Sequence, residues 1–263
     1  MSLLAHRHYL SLCRALTVMT VATTAAVAQP RDPGRAATTA PASRSLDALI
    51  EQLADADPAV RATARAALMD LRPSDLPAVH EAAARAKPLL PSQAVDLRAV
   101  VTHLHMCGQT YEVADGQGFL GVSMPPQPDI AVTPLDGPPR VGVAIVGRFP
   151  GFDAFRLLED SDVIVGIDGV ADRDDWGAQR FVETVQRIPP GAVVPLRVVR
   201  GGRVTTVRVR VSPRPLLANP ADRGAFDEMR RQWEDEAEAY WRQHFAPLVV
   251  GGDDDTADGD DVS

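Results

Sequence analysis

"RFPGFDAFRLLEDSDVIVGIDGV", Arg148 to Val170, decides how the rest of this 263-residue chain is read. It opens on one turn signal, Pro150-Gly151, and closes on another, Asp168-Gly169. The β-branched run Val163, Ile164, Val165 and Ile167 leads into the second turn, so Ser161 to Asp172 reads as two strands around Asp168-Gly169. Just upstream, "VGVAIV" (Val141 to Val146) is another strand. Further upstream, "GQGFLGVSM" (Gly116 to Met124) sets glycines on both sides of Phe119 and Leu120. Glycine there lets the backbone take positive φ or lets another chain approach closely.

Downstream the period changes and changes back. "WGAQRFVETVQRI", from Trp176, is a helix with Phe181, Val185 and Ile188 on one side. "AVVPLRVVRGGRVTTVRVRVSP", from Ala192, is a hairpin turned at Gly201-Gly202. Its second arm alternates Val207, Val209 and Val211 with Arg208 and Arg210.

This order of parts resembles a PDZ domain, most closely the bacterial kind attached to HtrA-type proteases. The matching motifs are Pro150-Gly151 with Ala154, Leu158 ahead of Asp162-Val163-Ile164, Asp168-Gly169, and Pro190-Gly191 before the Val-rich hairpin. The resemblance covers residues 109–215 and implies an α+β fold, a partly open β-barrel with one or two flanking helices. It also implies a peptide groove, because in this family the loop before the second strand offers successive N–H groups to a carboxylate. Carried over by position, the N–H groups of Leu120, Gly121 and Val122 hold that carboxylate. The ligand adds as a strand beside Val122, Ser123 and Met124, and its last side chain enters a pocket of Phe119, Leu120, Val122, Val185 and Ile188. Phe181 aligns with the helix residue that reads the third-last ligand position, so apolar residues are expected at the last and third-last positions. One buried Val or Leu side chain contributes roughly 1.5–3 kcal/mol, in keeping with micromolar affinity, about −8 kcal/mol. Two features depart from the family pattern. Ser161 replaces the usual glycine before the aspartate, a tolerable change at a turn. Glu112 and Asp115 stand where many such loops carry a base, so internal segments are expected to suit the groove as well as free C-termini.

The rest of the chain frames that domain. His6, Arg7, His8 and Arg14 precede an apolar run from Ala15 to Val27 and the small-residue stretch Ala26-Val27-Ala28, the pattern of a signal peptide over residues 1–28. The run is shorter than the roughly 20 residues of a membrane span, so no span is expected after cleavage and the location is periplasmic or otherwise extracytoplasmic. Residues 29–44 read as a linker. Residues 45–108 carry helical spacing in four segments: Leu46, Leu49, Ile50 and Leu53; the segment opening at Pro58; "PSDLPAVHEAAARA"; and "PSQAVDLRAVVTHLHMCG", with Ser92 as N-cap and Gly108 as the stop. They resemble, weakly, a HEAT-type repeat. Residues 216–247 form an amphipathic helix capped by Asn219 with Pro220 at its start. Its apolar stripe is Phe226, Met229, Trp233, Ala237, Tyr240, Trp241 and Phe245. That stripe either packs on the rest of the chain or serves self-association. Residues 248–263 are expected to be a disordered acidic tail.

Charge and residue usage narrow the function. The net charge of −8 comes mostly from the six aspartates after Gly252, leaving the rest near neutral and without a nucleic-acid footprint. There is no histidine between Gln109 and Pro215, and Lys87 is the sole lysine, so neither a Ser-His-Asp triad nor a Ser–Lys dyad can be assembled there. No enzymatic activity, cofactor or metal is expected. In "HLHMC" His103 and His105 lie about 200° apart on a helix, so His103 and Cys107 alone share a face, and solvated histidines at a helix end are expected. The tail's "DDTADGDD" ends before an EF-hand loop could close. The expected function is an exported protein-binding module. The alternatives are an assembly protein joined through the 219–246 helix and, third, an accessory subunit of an envelope protease.

Overall fold

The computed structural model describes residues 45–167, 176–218 and 223–249. The signal sequence, the linker, the second strand of the Asp168-Gly169 turn, the Asn219-Pro220 cap and the tail from Val250 lie outside them.

Four helices open the described chain. They are α1 (Leu46–Gln52), α2 (Pro58–Met69), α3 (Leu76–Arg85) and α4 (Pro91–Cys107). Ser45 caps α1, its hydroxyl accepting from Ala48 N–H at 3.2 Å, and Asp57 caps α2 at Ala59 N–H at 2.8 Å. The start of α4 differs from the sequence expectation. Proline at its first position, Pro91, puts the N-cap at Leu90, and Ser92 lies inside the helix. The capping group there is Gln93. Its Oε1 accepts from Leu90 N–H at 3.3 Å, and its Nε2 donates to the Ile50 carbonyl at 2.6 Å, tying α4 to α1. At the other end Gly108 keeps a right-handed φ of −84°, so it is a C-cap without the left-handed stop.

The strands follow: β1 (Val113–Phe119), β2 (Val122–Ser123), β3 (Asp129–Val132), β4 (Arg140–Ala144) and β5 (Gly147–Arg148). A short α5 (Asp153–Leu157) leads into β6 (Val163–Ile167). After it come α6 (Ala178–Arg187), β7 (Val193–Arg200), β8 (Arg203–Arg210) and β9 (Ser212–Pro215), and the last helix is α7 (Arg223–His244). The fold is α+β, but among the described residues the strands do not close into a barrel. Five form an open antiparallel sheet in the order β3-β4-β6-β7-β8, while β1 pairs with β9 and β2 with β5 as separate two-stranded sheets. The core of this part joins Val143, Ile164, Leu196, Val198 and Val209 of the sheet to Phe181 and Val185 of α6.

The α7 stripe is buried within the chain rather than offered to a second copy. Trp241, Phe245 and, beyond the helix, Leu248 complete the core of α1 to α4. Trp233 and Ala237 pack with Met106 and Tyr111, and Phe226 reaches the strand region, its ring 5.9 Å from Phe119 and 5.5 Å from Phe149. Leu248 and Val249, assigned by sequence to the tail, are part of the fold. Leu89 N–H donates to the Leu248 carbonyl at 2.7 Å, and Leu89 and Val249 form a parallel bridge.

The motif residue Asp162 is 1% exposed and chelates Arg200 of β7, accepting from Nε at 2.8 Å and Nη2 at 2.7 Å. It also accepts from Glu159 N–H at 2.9 Å, so the turn before β6 is built around one carboxylate. Ser161, beside it, sits at φ +80°. A left-handed non-glycine residue costs roughly 1–2 kcal/mol, partly offset because glycine enlarges the unfolded ensemble by about 0.4–1 kcal/mol. Ser161→Gly is therefore expected to stabilise the chain by about 0.5–1 kcal/mol, read as a rise in the urea midpoint at unchanged slope. A fall in midpoint would contradict this account of the turn.

Candidate functional site: an open strand edge facing a helix

The Phe119–Val122 loop takes its shape from two contacts. Gly121 has φ +72°, and a Cβ there would fall 2.4 Å from the Phe152 Cβ. Both the conformation and the room demand glycine. A Cβ at Gly118 would fall 2.5 Å from the carbonyl oxygens of Val185 and Ile188, so β1 crosses directly against the end of α6.

Hydrogen bonding then orients the edge of β2. The Gly121 carbonyl accepts from Phe149 N–H at 2.8 Å, and the Ser123 carbonyl accepts from Val146 N–H at 3.0 Å. Both carbonyls point toward the β5 side. Across a trans peptide the next N–H points the opposite way, so Val122 N–H and Met124 N–H face away from β5. Among the described residues no strand covers that edge. What faces it is α6, across a groove of about 770 Å³. The helix is set there by Asp129 of β3, whose Oδ1 accepts from Ala178 N–H at 2.6 Å and caps α6 from outside its own segment.

Most of the residues singled out from sequence meet in this groove. Phe119, Leu120, Gly121, Val122, Ser123, Phe181 and Val185 all line it. Ile188 does not; it packs at the edge of the core where α6 ends. Phe181 is 2% exposed, with its ring 6.2 Å from Trp176, so it forms floor rather than rim. The first groove-facing residue of α6 is Ala178, one turn earlier, followed by Gln179, Val182, Glu183 and Gln186. The helix begins at Ala178, two residues later than the sequence suggests, a start set by Asp129 and carried by no local cap signal.

The charges around the groove also differ from the sequence expectation. Glu112 and Asp115 are exposed and do not line it. Arg214 of β9, Asp227 of α7 and Glu183 do. Arg214 arrives through the pairing of β9 with β1, which sets Pro213 opposite Gly118. No local signal in the sequence joins residues so far apart.

Behind the groove, α4 grips the Pro150-Gly151 turn. Gly151 has φ +88°, and its N–H donates to His103 Nδ1 at 3.1 Å. The ring proton must then sit on Nε2, which lies 3.6 Å from Cys107 Sγ; that thiol donates to the Gly151 carbonyl at 3.5 Å. The three groups form a closed ring of hydrogen bonds. His103 is 3% exposed and stacks on Phe155 at 5.5 Å, so it is not the solvated residue expected from sequence. His105 is half-buried against Tyr240. Burial, with Arg156 assisting and Asp153 opposing, lowers the His103 pKa to about 4. Burial and the Asp153 carboxylate push the Cys107 thiol up to about 11. Both groups are neutral at pH 7, as the ring requires. Among the described residues no cluster of three or more His, Cys, Asp or Glu is placed to hold a metal ion, and no helix is long and apolar enough to cross a membrane.

Fold and site together define a class: an α+β chain with an open strand edge and a helix enclosing an apolar groove. Among solved structures the chain is similar to the "HtrA-type protease AlgW with decapeptide" at 25% identity, over 47% of this chain and 34% of that one, with a TM-score of 0.29. It is similar to the same protease "with tripeptide" at 27% identity, over 38% of this chain and 32% of that one, again with a TM-score of 0.29. The match spans about a third of those proteins' length. No family model matches, and no curated protein does.

The His103 ring carries a pH dependence. Its folded pKa lies below the ordinary 6.5, so the unfolded chain binds the proton first as pH falls. Its contribution is complete above pH 6.5, is lost between 6.5 and about 4, and is level below that. The loss is on the order of 3 kcal/mol. Urea denaturation across this window is expected to show that decline, and His103→Gln, which cannot titrate, to flatten it. An equally steep decline in the variant would contradict the assignment.

Proposed function

We propose that the chain is an exported, non-enzymatic binding module of the PDZ type, which takes up extended peptide segments by strand addition along β2. The observation that carries this reading is the unpaired β2 edge, with Val122 and Met124 N–H groups aimed into a groove whose far wall is α6. An incoming strand supplies the carbonyls those donors lack, and the apolar walls supply contact for alternate side chains. The motif residues support the PDZ assignment: Asp162 organises the β6 turn, and Pro150-Gly151 forms the turn that α4 grips. The basic and apolar N-terminal segment supports export to the periplasm or another extracytoplasmic space. A purely binding role fits the absence of histidine from residues 109–215. Assembly through α7 has no exposed stripe to act through, since Phe226, Trp233, Trp241 and Phe245 are buried.

Preference follows from the groove walls. Ala178 in the first turn of α6 leaves room for a large side chain and offers no hydrogen bond, so a ligand hydroxyl held there would lose hydration uncompensated, at about 1–3 kcal/mol. Apolar residues at the last and third-last ligand positions are expected on a peptide array probed with the full chain. Gly121→Val is a poor control, because its side chain would strike Phe152 and disturb the fold. Val182→Arg, on the half-exposed groove face of α6, tests the groove more cleanly. Binding should weaken at least about tenfold, 1.4 kcal/mol or more, with thermal stability little changed. Undiminished binding by a folded Val182→Arg chain would sink the groove assignment.

A further inference from the structure

The Pro150-Gly151 turn meets α4 at one residue and the groove rim at its two neighbours. Gly151 N–H donates to His103 Nδ1 at 3.1 Å. One residue on, Phe152 packs against Gly121 so closely that a Cβ there would fall 2.4 Å from its own Cβ, and its ring meets Phe119 edge-on at 5.1 Å. Two residues back, Phe149 N–H donates to the Gly121 carbonyl at 2.8 Å, and Phe149 itself lines the groove. The segment that His103 holds therefore places Phe119, Gly121 and Phe149, although His103 does not line the groove. Nδ1 can accept only while the imidazole is neutral, because the charged ring carries a proton on both nitrogens. Protonation would set two donors face to face across 3.1 Å.

We propose that His103 is a positioning residue for the peptide groove: its neutral ring latches residues 149–152 against Gly121, and a proton on Nδ1 releases them and lowers peptide affinity. This rests on the groove reading above. Among the described residues, the groups around the ring favour its neutral form. On its own helix it meets the Cys107 thiol at 3.6 Å, and Phe155 of α5 stacks on it. Asp153 of α5 is committed at both oxygens, Oδ1 to Arg156 Nε at 2.7 Å and Oδ2 to Arg210 N–H at 2.6 Å. Arg156, a like charge to an imidazolium, is held near the ring by Asp153 and, at 3.2 Å, by Asp70 after α2. Arg148 of β5 lies 5.5 Å over the Phe155 ring and pairs with Asp160 at 2.8 Å. Tyr111, on the Cys107 side, donates its hydroxyl to the Pro213 carbonyl at 3.3 Å, and α7 packs Trp233 and Ala237 on the neighbouring Met106. Burial and Arg156 keep the ring neutral down to about pH 4. The latch is thus shut at neutral pH and opens as pH falls through that value.

The test uses the full chain and acetylated hexapeptides with a free C-terminus, apolar last and third-last residues, and glycine or serine elsewhere. At pH 7, His103→Phe keeps the stacked ring but offers Gly151 N–H no acceptor, and it is expected to bind about tenfold more weakly than the native chain. His103→Leu takes its place if that variant does not fold. His103→Asn, whose amide oxygen stands as many bonds from Cβ as Nδ1 does, is expected to bind within about twofold of the native chain. Affinity is then followed downward from pH 7, with near-UV circular dichroism confirming the fold at each point. Relative to His103→Asn, native affinity should be level to about pH 5 and fall about fourfold by half a unit below the ring's pKa of about 4, where about a quarter of the rings remain neutral. The peptide carboxyl titrates alike against both chains, so their ratio isolates His103. A folded Phe or Leu variant that binds as tightly as the native chain, an Asn variant no better than Phe, or parallel pH profiles overturns the proposal and leaves the groove standing. No peptide binding by the native chain at pH 7 overturns both readings.

Discussion

The turn at Pro150-Gly151 is the constraint on which the rest of the molecule depends. Gly151 takes a φ of +88°, and a Cβ there would meet Met106 of α4 at 3.0 Å, so the turn and the helix sit as close as backbones allow. Both polar groups of Gly151 are taken up by α4, the N–H by His103 and the carbonyl by Cys107. A buried backbone group without a partner costs about 1–3 kcal/mol; here neither is left without one. The same turn leads into Phe152, whose side chain makes glycine obligatory at position 121. The helical segment therefore shapes the groove from behind.

Helix α7 makes the second tie. Its far end, with Trp241 and Phe245, belongs to the core of α1 to α4, and its near end brings Phe226 and Asp227 to the groove. Arg98 of α4 pairs with Glu238 of α7 at 2.5 Å along the way. That pair is exposed and contributes little. The aromatic burial does the holding, since truncating a buried Phe or Trp costs about 3–5 kcal/mol. Groove, helices and α7 are thereby linked, and a perturbation of the α4 side should be felt in the Phe152–Gly121 contact.

Much of this was legible in the sequence, and the legible part is local. Helices α1 to α4 and α6, the Gly201-Gly202 hairpin and the α7 stripe follow from periodicity within a dozen residues, and "GFLGV" marked the groove rim by its glycines. What could not be read is what depends on pairing between distant segments. Asp129 caps α6 from 49 residues away and fixes where that helix begins. Gln117 and Arg214 meet across 97 residues, because β9 returns to β1. His103 looked solvated because its helix position says nothing of the turn that would cover it. Leu248 and Val249 looked like tail because the core they join lies at the other end of the chain.

The central claim is that the outward edge of β2 is a template for a ligand strand. Amide hydrogen exchange measured residue by residue, with and without an excess of free-acid peptide, tests it most directly. Val122 and Met124 amides should become strongly protected on peptide addition, while the Phe149 amide, already bonded to the Gly121 carbonyl at 2.8 Å, should change little. Peptide binding that leaves the Val122 and Met124 amides exchanging at their free rates would contradict the account.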